Sequence, residues 1–230
     1  VVYSLSMDIV RKRHNNAKRE LINSYTSPGD LILDVGCGYG GDLMKWNAHS
    51  QNLIMIDPSP SSVEEARRRA KTLKIYPAFY QGTIENSPSK KYDIICFNFS
   101  LQYVFDKKSN FLSTMNCIKK RSKSGTRVFG CIPDSDFIMM NRSYEDSHGN
   151  IFVRNSHTTG RGQFGESIKV MLEDTPYYSG SFIAEPIAYK DLFITWMEKH
   201  NFRLVDWSPL VSEYTNSISD LYSKFCFLAL

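Results

Sequence analysis

The sequence has no uncharged apolar run approaching the roughly 18 to 20 residues a membrane helix requires, so no helical span is expected. A secretory leader is not expected either, because the start, VVYSLSMDIVRKR, turns basic where an apolar core would continue. Cysteine is sparse and unpatterned. Cys37, Cys96, Cys117, Cys131 and Cys226 are an odd number with no C-x-x-C pair, which argues against a disulfide framework and a zinc site and for a reducing compartment. There is no Ser-His-Asp order and no pair of catalytic carboxylates, and His49, His148, His157 and His200 lack partner spacing, so no metal is expected. Internal repeats and low-complexity tracts are absent too.

What is present is the composition of a globular chain. Of 230 residues, 42% are apolar and 23% charged, which excludes global disorder and fits one domain carrying an insertion. A start at valine suggests a piece of a longer polypeptide. The net charge of +4 is unevenly spread. Basic residues crowd 11–19, Arg67 to Arg69 and 119–123, clusters that suit a polyanionic partner or serve equally as solvated helix faces.

Strand and helix signals alternate. A helix over 7–25 stops at Ser27-Pro28-Gly29, and buried strands are expected at 31–35 and 52–57. A helix over 59–73, capped at Ser61 or Ser62, is followed by strands at 75–82 and 91–100, a helix at 107–120 and a strand at 125–133. The stretch 134–183 breaks this rhythm and reads as an insertion that would act as a substrate lid, with hairpin strands at 149–156 and 166–172. The pattern resumes with a helix at 188–200 and strands at 203–207 and 224–230. This order predicts a doubly wound, Rossmann-like α/β sheet in a single domain, 1–230. Trp46, Trp196 and Trp207 read as core.

The segment LDVGCGYGGDL follows the first strand, with a helix expected after it. Glycines here let the chain turn sharply and a ligand approach the main chain. Asp57 ends the second strand, where a carboxylate can accept both ribose hydroxyls of a nucleoside cofactor. Gly36-x-Gly38-x-x-Gly41 satisfies a dinucleotide fingerprint, which keeps NAD open. Asp34 and Asp42 would repel a pyrophosphate and suit the amino-acid end of S-adenosylmethionine (AdoMet), and the form Asp-x-Gly-x-Gly-x-Gly resembles the class I AdoMet-dependent methyltransferase loop.

The flanks extend the likeness. RKRHNNAKRELI (11–22), ILDVGCGYGGDLMKW (32–46), FNFSLQYVF (97–105) and EPIAYKDLFITWMEKHNFRLVDW (185–207) together resemble the mRNA cap guanine-N7 methyltransferase family, most of all the carboxyl-terminal domain of capping enzymes of large cytoplasmic DNA viruses of the African swine fever virus type. The resemblance implies AdoMet as cofactor, with S-adenosyl-L-homocysteine as product. Lys18 would meet its carboxylate, Gly36 its backbone-facing side and Asp57 its ribose; Thr83 stands where the family has an aspartate near the adenine, Asn98 where it has a glutamine, and Tyr103 borders the methyl donor. It also implies that His14, Asn15, Lys45 and Arg69 face the cap, Lys45 and Arg69 toward its triphosphate. Tyr39 replaces a lysine, Gln102 replaces a histidine, and Glu185 and Tyr214 would hold the guanine. The implied partners are the capped 5′ end of mRNA, GTP-like cap analogues, and upstream guanylyltransferase and triphosphatase domains of the same polypeptide. The implied place is the host cytoplasm or virion for a viral enzyme and the nucleus for a cellular one.

The chemistry fits a site without a nucleophile. Guanine N7 carries a free lone pair at neutral pH and a sulfonium methyl is already activated, so alignment and electrostatics suffice and no catalytic base is expected. Two other readings stay open: a methyltransferase for another RNA position or a small molecule, and a non-catalytic RNA-binding partner subunit. Within the residues themselves, Lys18 and Arg69 also read as surface charges, Tyr103 and Tyr214 as core aromatics, and Glu185 as a complement to the dipole of the following helix.

Overall fold

The computed structural model describes residues 2–159, 162, 164–172 and 181–230, with side chains from Val10 onward. Helix α1 (Val2–Tyr25) buries Val10, Ala17, Leu21 and Ile22 on one face, and His14 and Lys18 lie at helical spacing along that stripe. It ends just before Ser27-Pro28, where proline disfavours helix in the residue ahead of it.

The sheet has the order β10-β11-β5-β4-β1-β2-β3. Strands β1 (Ile32–Val35), β2 (Leu53–Asp57), β3 (Ala78–Gln81), β4 (Tyr92–Asn98) and β5 (Ser122–Pro133) run parallel. Strands β10 (Phe202–Pro209) and β11 (Tyr222–Ala229) are antiparallel, so the expected doubly wound sheet closes with a reversed pair. Alternate residues feed two cores. Ile32, Ile94, Cys96, Phe129 and Cys226 pack on one face, and Leu33, Ile95, Phe97, Val128 and Phe227 on the other. Gly130 allows β4 and β5 to close up, since a Cβ there would stand 1.9 Å from the Phe97 carbonyl oxygen.

Helix α2 (Pro60–Leu73) packs beside β2 and β3, and α3 (Lys108–Arg121) under the loop after β4. The cap of α2 is Ser59, whose hydroxyl accepts from Ser62 N–H, rather than Ser61 or Ser62; Pro60 then occupies the first turn, where its missing N–H costs nothing. No α-helix follows the glycine loop. Residues 38–45 form successive turns leading to a 3-10 helix (Asn47–Asn52), consistent with the poor helix propensity of Gly40-Gly41.

The insertion forms α4 (Ser135–Met140) and a separate antiparallel sheet of β6 (Ser143–Glu145), β7 (Ile151–Arg154), β8 (Ser167–Met171) and β9 (Ile183–Pro186). Residues 160, 161, 163 and 173–180 of the expected 134–183 insertion lie outside the described residues. Its last strand runs past 183 and takes Glu185 with it, paired to Ile168; helix α5 (Lys190–Lys199) begins only later. Glu185 is therefore a strand residue of the small sheet and not a helix cap. Trp46 is fully buried, whereas Trp196 and Trp207 are half-buried.

Candidate active site

A cavity of about 1040 Å³ opens beside the loops that follow β1 and β4, the point where strand order reverses and α/β sheets bind their ligands. All of the expected site residues line it except Lys45 and Tyr214. Helix α1 contributes His14, Asn15 and Lys18; the glycine loop, Gly36 and Tyr39; and the end of β2, Asp57. Thr83 follows β3, Asn98 ends β4, Gln102 and Tyr103 sit on a 3-10 helix (Leu101–Asp106), and Arg69 comes from α2. Glu185 enters from β9.

Gly36 has φ 76°, and a Cβ there would meet the Ser100 Cβ at 2.3 Å, so the loop can lie against the β4 end only as glycine. Asp57 Oδ2 accepts from Gly38 N–H (2.8 Å) and Oδ1 from Ser59 N–H (2.9 Å), which ties the loop to the β2 carboxylate. A pyrophosphate would meet that carboxylate on an already engaged amide, with no α-helix terminus behind it. The NAD reading is therefore disfavoured.

Asp42 is the charge centre of the floor. Its Oδ1 faces Lys18 Nζ at 2.6 Å and Lys45 Nζ at 2.8 Å, and its Oδ2 accepts from Asn98 Nδ2 at 2.9 Å. Burial pushes the Asp42 carboxyl upward, but Lys18 and then Lys45 outweigh it and hold the group well below its usual range. Burial lowers the Lys18 amine, and Asp42 outweighs this and raises it. Lys45, expected toward a triphosphate, is instead turned inward, its side chain only 4% exposed and its Nζ on Asp42 and the Gly41 carbonyl. The surface reading of Lys18 also fails, since it is enclosed by Asp42 and the Phe99 ring.

Aromatic rings stand beside this cluster. His14 stacks on Phe99 (5.3 Å), and Tyr222 meets both edge-on at 5.2 and 5.1 Å. Phe99 holds φ 59°, a strained backbone for a bulky residue at the cavity wall. Burial, then Lys18 and Arg13, drive the His14 pKa down to about 3, so the ring is neutral at physiological pH. Tyr214, expected at the guanine, is 73% exposed and outside the cavity, whereas Tyr222 lines it together with Tyr39 and Tyr103. Tyr103 is half-exposed and not core. Gln102 Nε2 donates to Glu185 Oε2 (3.3 Å) and to the Phe99 carbonyl (3.1 Å), and Glu185 is only 2% exposed.

Sequence reasoning missed several lining residues. Arg11 was findable, since it stands one helical turn before His14 on the same face. Glu85, held by the Thr83 hydroxyl, brings a carboxylate to the end where Thr83 lacks one. Ser100 and Tyr222 carried no local signal. The other basic runs are largely tied to the protein: Arg67 donates to the Phe79 carbonyl, Arg68 and Arg69 pair with Glu65, Arg121 is buried on Ser87, and Lys123 pairs with Asp93. Arg69 also lies over the Tyr39 ring at 5.9 Å.

Asp34 points away from the cavity and accepts from Trp46 Nε1 at 3.1 Å. Burial, then the Asp42 charge, raises its carboxyl to about 7. A carboxyl raised by folding is protonated in the native state while ionised in the unfolded chain. Stability is then lost as pH rises, by about 1.4 kcal/mol per unit between roughly 4 and 7. Asp34→Asn removes this dependence, so its stability relative to wild type is expected to climb by a few kcal/mol across that window. His14 titrates with the opposite sign but is common to both proteins and cancels in the difference. Urea melts at pH 5 and 8 giving the same difference would refute the assignment.

Three buried atoms on the cavity lining have no hydrogen-bond partner among the described residues: His14 Nε2, Asn98 Oδ1 and Gln102 Oε1. Unsatisfied buried polar atoms gathered on one lining are the mark of a ligand site. No helix among the described residues is long and apolar enough to cross a membrane.

Solved structures of similar shape are AdoMet-dependent methyltransferases. One from Clostridium acetobutylicum ATCC 824 matches with a TM-score of 0.66 at 13% identity, over 95% of this chain and 91% of the other. A glycopeptide N-methyltransferase in complex with (S)-adenosyl-L-methionine matches with a TM-score of 0.64 at 9% identity, over 93% of each chain. By sequence, the mRNA cap guanine-N(7) methyltransferase of Saccharomyces cerevisiae is 30% identical over 85% of this chain. The match covers 46% of the yeast protein, so the chain spans about half the length of that relative. The sequence model of the mRNA (guanine-N(7))-methyltransferase domain matches residues 4–224. With that match nearly end to end, and with the class I methyltransferase sheet beneath it, the chain belongs to the mRNA (guanine-N(7))-methyltransferase domain family.

Proposed function

We propose that this chain transfers a methyl group from AdoMet to N7 of the guanine in the 5′ cap of mRNA. The observation that carries the reading is one cavity lined by carboxylates from both sheets, Asp57 on the main sheet and Glu185 on the small one, and by unsatisfied buried polar atoms. AdoMet supplies an activated methyl on a sulfonium. Asp57 can accept the ribose hydroxyls on lone pairs that Gly38 and Ser59 leave open, and Lys18 can turn from Asp42 to the methionine carboxylate. Thr83 and Glu85 lie toward the adenine, and Asn98 and Tyr103 along the donor. Glu185 accepts from guanine N1–H and N2–H, with His14, Asn15, Tyr39 and Arg69 lining the way to the triphosphate. The protein's part is orientation and exclusion of water by the small sheet.

The likeness of the 11–22, 32–46 and 97–105 blocks to viral capping enzymes supports a multifunctional cytoplasmic polypeptide with guanylyltransferase and triphosphatase domains upstream. The relative described above is a yeast protein, which supports a nuclear cellular enzyme instead. The deciding experiment for the activity is transfer of labelled methyl to GpppA-capped RNA, GTP and uncapped RNA, with nuclease digestion to locate the label. Label at cap N7 is expected. Label at another position, or AdoMet binding without any transfer, would favour the other-substrate or non-catalytic readings.

For the cofactor, Asp57→Ala is expected to weaken AdoMet binding at least tenfold, since hydrogen bonds to a charged group are worth about 1.5 to 3 kcal/mol. Unchanged affinity by calorimetry in a folded variant would remove Asp57 from the ribose site.

A further inference from the structure

We propose that the outer flank of α1 carries the RNA chain downstream of the cap, with Lys12 and Arg19 on its backbone phosphates. This rests on the capping reading above and extends its site from the cap to the transcript.

Arg11, Asn15 and Arg19 follow one another at i, i+4 and i+8, so they form a row along one side of the helix, with Lys12 beside it. The row starts at the cavity, which Arg11 and Asn15 line, and then leaves it: Lys12 and Arg19 are exposed and lie outside the lining. Arg11, Lys12 and Arg19 form no ion pair among the described residues, in contrast to Arg68 and Arg69 on Glu65 and Lys123 on Asp93. Asn16 Oδ1 accepts from Arg19 Nη1 at 3.1 Å, which steadies the guanidinium while the residue stays exposed. Glu20, the one acidic residue of α1 from Val10 onward, is next to Arg19 in sequence and so faces another side of the helix. Open cations that continue from a site for the end of a polyanion suit the rest of that polyanion, since each phosphate they neutralise releases condensed counterions. Lys12 to Arg19 spans about 10 Å of helix, the length of about three stacked nucleotides at roughly 3.4 Å each.

The cap triphosphate is common to a GpppA dinucleotide and to a GpppA-capped RNA of about ten nucleotides, long enough to overrun the flank. The ratio of their kcat/KM values therefore isolates the downstream chain. Wild type is expected to favour the RNA. With two phosphates engaged, this preference should fall about sevenfold between about 50 and about 200 mM salt, from a slope of about 0.7 per phosphate on a single strand. In Lys12→Gln/Arg19→Gln the preference should drop at least about fivefold at the lower salt and lose most of its salt dependence. Turnover of the dinucleotide should stay within about twofold of wild type. The control is Lys119→Gln/Lys120→Gln, which removes equal charge from the exposed end of α3 at the start of β5, on the sheet edge opposite the cavity. It should keep the preference. A wild type that turns over RNA and dinucleotide equally well overturns the proposal without recourse to any variant. Equal losses in the two double variants also overturn it, and would report net charge alone. Transfer to neither substrate would overturn the capping reading itself.

Discussion

Glu185→Ala is expected to lower kcat/KM on GpppA-capped RNA about a hundredfold or more, while AdoMet affinity stays nearly unchanged. Two charge-assisted hydrogen bonds to the base disappear, each worth about 1.5 to 3 kcal/mol, and guanine N1–H and N2–H are left facing a dry wall. The damage stays local because Glu185 belongs to the small sheet, whereas Gly36 follows β1 and Asp57 ends β2 of the main one. Gln102 keeps its bond to the Phe99 carbonyl, so the 3-10 helix that carries it retains an anchor. Glu185→Gln should be nearly as harmful, since its amide sets donors against donors. Turnover within about twofold of wild type would end the guanine-reading role.

The second large effect is on stability. Asp42→Ala leaves Lys18 and Lys45 as two nearly enclosed cations without the anion they share, 14% and 4% exposed at the side chain. Breaking such a pair from one side costs about 3 to 5 kcal/mol, because the remaining charge stays desolvated. Asn98 loses its Nδ2 acceptor as well, which loosens the end of β4. Urea denaturation should show this loss. The pH sign follows from the depressed carboxyl of Asp42: its contribution is complete above the unfolded value of about 4 and is lost as pH falls below it. A loss under about 1 kcal/mol, typical of an exposed pair, would show that solvent reaches this cluster after all.

Local signals sufficed for the parts of the molecule that local physics builds. The parallel strands were legible because buried apolar runs and glycine or proline boundaries act within a few residues, as at Ile32–Val35 and Leu53–Asp57. The placement of Asp57 after the glycine loop followed from the same strand-turn logic, whereas His14 and Lys18 came from the family resemblance, and their inward face on α1 emerged only in the structure. Choices made between distant segments were not legible. Whether Lys18 or Lys45 faces the ligand depends on how both share one buried carboxylate, and sequence spacing says nothing of which way each ammonium turns. Tyr214 and Tyr222 are equivalent as letters; strand pairing of β11 with β5 carries Tyr222 to the cavity, while the loop before it leaves Tyr214 in solvent. The helix expected after the glycine loop became turns because Gly40-Gly41 weakens helix and because Asp42 and Trp46 are drawn inward, Asp42 to two lysines and Trp46 to Asp34. Glu185 meets Gln102 across 83 residues of chain only because the small sheet docks its last strand on the 3-10 helix after β4. The residue types capable of the chemistry were therefore set by the sequence, and which of them converge was decided by long-range strand pairing and the sharing of buried charge.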